Sequence, residues 1–196
     1  MLQSNHKLAW CVCLLGLAGA VQLAGATPVK GPNGNYYELV SGNRTWPQAL
    51  ADAAGRTFEL AGTIYPGYLV TITSQAEQDF IDTLQAGGSF YWIAASDKEQ
   101  ENTWKWMAGP EAGTVFWQGR ADGTALGFAN WNTGEPNDGL YGEDYAHLNQ
   151  NGTWNDNRTD PPTYGYITEY EVPGPAALPL LAVAAVSLLR RRKAKP

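Results

Sequence analysis

Both cysteines of this 196-residue chain, Cys11 and Cys13, lie inside one apolar run near the N-terminus. That run, Leu8 to Leu23, follows His6 and Lys7 and is succeeded by Ala24-Gly25-Ala26. A short basic start, an apolar stretch and an A-x-A site make a secretory signal over residues 1–26, cleaved after Ala26. An N-terminal membrane anchor is the other reading, although the run is short for a span. Removal of the signal leaves no cysteine. A disulfide framework, thiol catalysis and thiolate zinc sites are thereby excluded, even for an exported chain. Packing and bound ligands must supply the stability.

Charge divides the chain in the same places. All 19 acidic residues fall between residues 27 and 171, against seven basic ones, so this middle carries a net −12 while the whole chain carries −6. Phosphate binding depends on Lys and Arg, so a middle this acidic excludes nucleic acid as a partner and favours cations. With 44% hydrophobic residues and 8 Trp, it is too apolar for disorder.

The tail, residues 172–196, begins Val172-Pro173-Gly174-Pro175, continues apolar from Ala176 to Leu189, and ends in Arg190-Arg191-Arg192-Lys193. The apolar stretch is shorter than the roughly 20 residues of a comfortable span, and the basic cluster would stay cytoplasmic. The arrangement resembles the PEP-CTERM class of bacterial sorting signals, with Gly174 in place of the usual Glu. That resemblance implies a short transmembrane segment, processing by an exosortase, and a protein held at the cell envelope or released to the extracellular matrix. A plain tail anchor is the alternative.

Residues 27–171 show no repeat or long linker. Thr45 can cap a helix through Ala54 with Pro47 in its first turn. Ser74-Gln75-Ala76-Glu77 has the form of a capping box, and Ala76, Phe80 and Leu84 then recur at helical spacing until Gly87 and Gly88. Tyr68 to Ile72 and Phe90 to Ala94 have strand character. Past Asp97 the chain is rich in Gly, Asn, Pro and Trp. The pattern predicts an α+β domain with short strands framing a long loop region.

That loop region concentrates acidic and amide side chains: Glu135-Pro136-Asn137-Asp138, Gly142-Glu143-Asp144-Tyr145 and Trp154-Asn155-Asp156. Oxygen donors on turn-forming sequence suit a hard cation, calcium first, although a solvated acidic loop has the same composition. Glu135 and Asn137 flank a proline, and a cis Glu135-Pro136 bond would aim both at one point.

These three motifs resemble the E-P-N, E-D and W-N-D motifs of C-type lectin domains, and their spacing is similar to that of mannose-binding members. The likeness runs from Asn35 to Glu171 and takes in the Leu69 to Leu84 segment, Trp92-Ile93-Ala94-Ala95, Trp104-Lys105-Trp106 and Phe116-Trp117. It implies the C-type lectin-like fold: two helices, small antiparallel sheets and a long calcium-binding loop region. The family's cysteines fall on Ala53, Tyr145, Thr159 and Thr168, so both usual disulfides are absent together. By the same resemblance a principal calcium would take Glu135, Asn137, Glu143, Asn155 and Asp156, which would also hydrogen-bond a sugar bearing mannose-type hydroxyls: mannose, glucose, N-acetylglucosamine or fucose. Asp97, Glu101, Asp138 and Asp144 match the ligands of a second calcium; an exposed charged loop is the other reading of Asp97 to Glu101.

Glu135 and Asp144 could serve glycoside hydrolysis as an acid and base pair. Against an enzyme, His147 is the sole histidine left after signal removal, lies in an apparent strand, and is joined by no phosphate loop or cofactor motif. The expectation is therefore a calcium-dependent binder of glycans or exopolysaccharide, with a protein-binding or structural module of the same fold as the alternative.

Overall fold

A computed structural model describes residues 26–85, 89–139, 142–159 and 164–174. The signal segment before Ala26, the apolar and basic tail after Gly174, and the Gly87-Gly88 stop expected for the second helix lie outside the described residues. Among the described residues no helix is long and apolar enough to cross a membrane.

Among the described residues, two helices and eleven short strands make the α+β domain. In chain order they are β1 (Val29–Lys30), β2 (Tyr36–Arg44), α1 (Trp46–Ala54), β3 (Thr57–Leu60), β4 (Thr63–Leu69), α2 (Gln75–Leu84), β5 (Tyr91–Ser96), β6 (Thr103–Trp106), β7 (Val115–Gln118), β8 (Thr124–Ala125), β9 (Tyr145–Leu148), β10 (Trp154–Asn157) and β11 (Tyr164–Tyr170). β11 closes the domain: it pairs antiparallel with β2 and β4 and parallel with β5. From β5, buried at every position, the sheet runs to β6, β7 and β8 on one side and to β9 and β10 on the other.

The α1 helix forms where the sequence predicts it, from Thr45 through Ala54, and makes the full reciprocal box. Thr45 Oγ1 accepts from Gln48 N, and Gln48 Oε1 accepts from Thr45 N. At α2 the predicted box is only half made. Ser74 Oγ accepts from Glu77 N at 3.2 Å, but the Glu77 carboxylate serves Thr73 N, Thr73 Oγ1 and the Tyr37 hydroxyl instead. The predicted core face of α2 also shifts. Ala76 is exposed, whereas Glu77, Gln78 and Ile81 are buried. Two polar residues face inward because each has partners there: Gln78 accepts from Trp154 Nε1 at 2.7 Å and donates to Gly152 O at 2.9 Å. Those bonds tie α2 to β10.

The predicted Tyr68 to Ile72 strand is only the end of β4, and Val70 to Ile72 continue buried without a ladder. A hairpin the sequence did not announce precedes it. β3 and β4 are joined at Ala61 (φ 52°) and Gly62 (φ 81°), both in the left-handed region that two-residue hairpins demand. Alanine is a poor occupant of that region, which hides the turn from a sequence reading.

Aromatic packing replaces covalent staples. Trp104, Trp106, Phe116, Trp131 and Trp154 meet one another edge-to-face or stacked, at centroid distances of 4.6 to 6.4 Å; each such pair contributes roughly 0.5–1.5 kcal/mol beyond area burial. Where the family has its cysteines, Ala53 and Thr168 are fully buried. The hydroxyls of Thr159 and Thr168 are buried with no hydrogen-bond partner. Nearby, Arg56 and Glu38 form a buried bidentate pair, and Tyr170 donates to Glu38 at 2.5 Å. Charges buried this way are tolerable because every one is hydrogen-bonded.

Candidate cation and ligand site

Strand ends deliver the acidic residues to one region. Asp97 follows β5, Asp144 precedes β9, and the β9–β10 register sets Asn155 opposite His147 and Asp156 opposite Ala146. The loop bearing Glu135 to Asp138 leaves from and returns to the same strand. Trp154 N donates to Asn130 O and Asn132 N donates to Trp154 O, both at 2.8 Å. The Glu135-Pro136 peptide bond is cis.

Asp156 is the hub. It is fully buried; its Oδ2 accepts the amides of Asn137 at 2.9 Å and Asp138 at 2.7 Å, and its Oδ1 has no partner. Facing it is Glu135, whose pKa is pushed up to about 7 by burial first and then by the nearby Asp156 and Glu143 carboxylates. The Asn137 amide donates to Glu135. Glu143 accepts from Gly139 N at 2.9 Å, and burial outweighs that bond to raise its pKa. Asn155 Nδ2 donates to Asp156 O and lies 3.3 Å from His147 Nε2. These contacts link Glu135, Asn137, Asn155 and Asp156, and Glu143 interacts with Glu135 and Asp156 through charge alone; among the described residues their carboxylates do not make a group with oxygens within 4.8 Å of one another.

His147 has a part the sequence did not disclose. Buried among Phe90, Trp92 and Tyr164, it has its pKa pushed down to about 4 by desolvation. As a neutral ring it can donate from Nδ1 to Leu148 O, at 3.1 Å, and accept at Nε2 from Asn155. The Asn155 nitrogen is thus engaged, leaving its carbonyl oxygen as the free donor atom. The Asn151-Gly152 dipeptide, a strong hairpin signal, carries the register that pairs 147 with 155.

A second acidic group lies alongside. Asp97, Glu101 and Asp144 each offer a carboxylate oxygen, all within 4.8 Å of one another. Asp97 is 2% exposed; its Oδ2 accepts from Asn102 N at 2.9 Å, its Oδ1 has no partner, and burial pushes its pKa up to about 7. Asp138, expected with them, stands outside this group. Its Oδ1 accepts from Glu143 N and its Oδ2 pairs with Arg120 at 2.7 Å. Lys98 likewise pairs with Asp144 at 2.7 Å. Neither cation is close in sequence to its carboxylate, so pattern reading missed both.

Partnerless buried carboxylate oxygens, neighbouring like charges and a donor set made wholly of oxygen fit a hard divalent cation, with the ligand oxygens closest together at Asp97, Glu101 and Asp144. Comparison with known proteins gives the family. Residues 62–164 match the family model for the lectin C-type domain. The chain belongs to the C-type lectin family. It is 40% identical over 143 residues to halomucin of Haloquadratum walsbyi, covering 70% of this chain and 1% of that protein. It is 32% identical over 120 residues to the mouse low affinity immunoglobulin epsilon Fc receptor, covering 61% of this chain and 29% of the receptor. The chain thus spans less than a third of either relative. Among solved structures, the mouse scavenger receptor C-type lectin carbohydrate-recognition domain superposes with a TM-score of 0.57 at 25% identity, over 76% of this chain and 97% of that one. The cow C-type carbohydrate-recognition domain of CD23, solved in the presence of a GlcNAc2Man3 oligosaccharide, gives 0.54 at 27% identity, over 71% and 90%. The matched family and the solved neighbours are carbohydrate-recognition domains rather than enzymes.

Proposed function

We propose that the protein is a calcium-dependent lectin for sugars with mannose-type hydroxyls: mannose, glucose, N-acetylglucosamine or fucose. The observation that carries this reading is buried Asp156, whose Oδ1 has no hydrogen-bond partner among the described residues, whose Oδ2 and main-chain oxygen bond Asn137 and Asn155, and which interacts by charge with Glu135 and Glu143. Those five residues would hold the ion. When bound, calcium supplies open coordination positions for two vicinal hydroxyls and neutralises the facing carboxylates. Glu135 and Glu143 would orient the sugar by accepting its hydroxyl protons and Asn137 by donating to its oxygens, while Asn155, its nitrogen engaged by His147 and Asp156, would offer its carbonyl oxygen to the ion. The backbone amides on Asp156 Oδ2 fix the angle at which the loop presents Glu135 and Asn137.

Asp97, Glu101 and Asp144 would hold a second calcium, with Lys98 swinging away from Asp144. Isothermal titration should then give two calcium ions per chain; a stoichiometry of one would leave the principal site alone. Retention on mannose-agarose with calcium and release by EDTA is the direct test of function. The mouse relative is named for an immunoglobulin receptor, so a protein-binding module is the competing outcome, marked by retention on no glycan. The two terminal segments support action at the cell envelope, on glycans or exopolysaccharide, after export and exosortase processing; the mass of the protein recovered from the envelope or medium tests both cleavages.

A further inference from the structure

A hollow of about 400 Å³ opens directly beside Glu135. Trp117 and Ala121 of the β7–β8 hairpin line it together with Asn130, Trp131, Asn132 and Glu135. Its size falls within the range of small-molecule sites, and it is continuous with the sugar site through Glu135.

Trp117 is held in place by the β7–β8 hairpin. Its indole Nε1–H donates to the carbonyls of Gly119 at 3.0 Å and Arg120 at 3.2 Å. The turn closes tightly round that edge: Gly119 has φ 101°, and a Cβ on Gly123 would lie 2.7 Å from both Trp117 Nε1 and Arg120 O. Gly119 N is anchored on Asn102 O at 2.8 Å. From the same turn, Arg120 reaches Asn137 O at 2.9 Å and Asp138 Oδ2 at 2.7 Å. The hairpin is thereby strapped to the loop that carries Glu135 and Asn137. Trp104, Trp106, Phe116, Trp131 and Trp154 lock against one another, but half-buried Trp117 is in none of the ring pairs among the described residues. On the same hollow, the Asn132 backbone N–H is tied to Trp154 O while its side-chain amide bonds to no described residue.

We propose that Trp117 is the stacking platform of a second sugar subsite, which receives the pyranose next to the one held at Glu135. A half-buried indole fixed at its Nε1 edge and lining the hollow can meet the C–H face of a pyranose at little entropic cost, and the Asn132 amide on the same hollow can bond that unit's hydroxyls. The protein would therefore prefer an oligosaccharide to a single sugar. This inference rests on the sugar-binding reading above.

The test compares methyl α-D-mannoside with α1→2-, α1→3- and α1→6-linked mannotrioses by calorimetry in calcium. At least one trisaccharide should bind about fivefold more tightly than the monosaccharide. Trp117→Ala should reduce that advantage to near unity with monosaccharide affinity unchanged, and Trp117→Phe should keep most of it. Should Trp117→Ala unfold, Asn132→Ala on the same hollow decides, with the same expected loss. Monosaccharide binding without a trisaccharide advantage, or an advantage that survives both alanine variants, overturns the subsite alone. Failure of the wild-type protein to bind either ligand overturns the sugar reading and the subsite with it.

Discussion

Asp156 answers two demands with one carboxylate. Oδ2 takes the Asn137 and Asp138 amides and holds the loop, while Oδ1 waits buried and unbonded beside Glu135. Replacing it with Asn keeps the volume and removes the charge. Asp156→Asn should weaken calcium at least about tenfold, read by calorimetry, and abolish retention on mannose-agarose while the far-ultraviolet circular dichroism stays native. Thr168 poses the opposite case: a buried hydroxyl that bonds nothing, at a position where the family has a cysteine. An orphaned polar group costs about 1–3 kcal/mol, and valine has nearly the same shape. Thr168→Val should therefore raise the unfolding free energy, by about 1 kcal/mol in urea titration; a loss would mean that the hydroxyl is satisfied in solution.

At the scale of elements, the hairpins decide what the residues can do. The β9–β10 ladder brings His147 against Asn155, and Gln78 on α2 fastens the same ladder through Trp154 Nε1 and Gly152 O. A helix that turns Glu77 and Gln78 inward is legible only with its partners in view, since apolar spacing pointed to Ala76, Phe80 and Leu84. The β3–β4 turn makes a sharper case. Ala61 occupies a left-handed conformation that costs an alanine about 1–2 kcal/mol. Ala61→Asn should relieve part of this and raise the melting temperature by about 2 °C or more, with calcium affinity unaltered because the turn lies on strands remote from the acidic loop. A lower melting temperature would show that asparagine is not accommodated in that turn.

For the whole molecule, the net −12 of residues 27–171 sets the response to pH and calcium. Glu135, Asp97 and Glu169 all have pKa values pushed up to about 7, in each case by burial first. Their folded values lie above the unfolded carboxylate value of about 4.3, so their stabilising contribution is fully present below that value and is lost as pH rises through 7. Without calcium, the melting temperature should fall between about pH 5 and about pH 8. Calcium should offset the part due to Glu135 and Asp97, and its increment in melting temperature should grow over the same window because only deprotonated ligands bind it. Glu169, on β11 beside Tyr37 and Glu77, should go on losing stability even with calcium. Scanning calorimetry with calcium and with EDTA separates the two contributions; a calcium increment that shrinks with pH would contradict them. Sequence alone determined the fold class, both helices, the lack of cysteine in the described domain, and the placing of Glu135, Asn137, Glu143, Asn155 and Asp156 in one loop region. These follow from local signals: caps, periodicity, and oxygen donors confined to one loop region. Tertiary structure alone decided that Arg120 and Lys98 pair with Asp138 and Asp144, that His147 fixes Asn155, and that Trp117 and Glu135 line one hollow. Each of those depends on segments distant in the chain being brought together by β5, β10 and β11, and no local pattern encodes the distance between them.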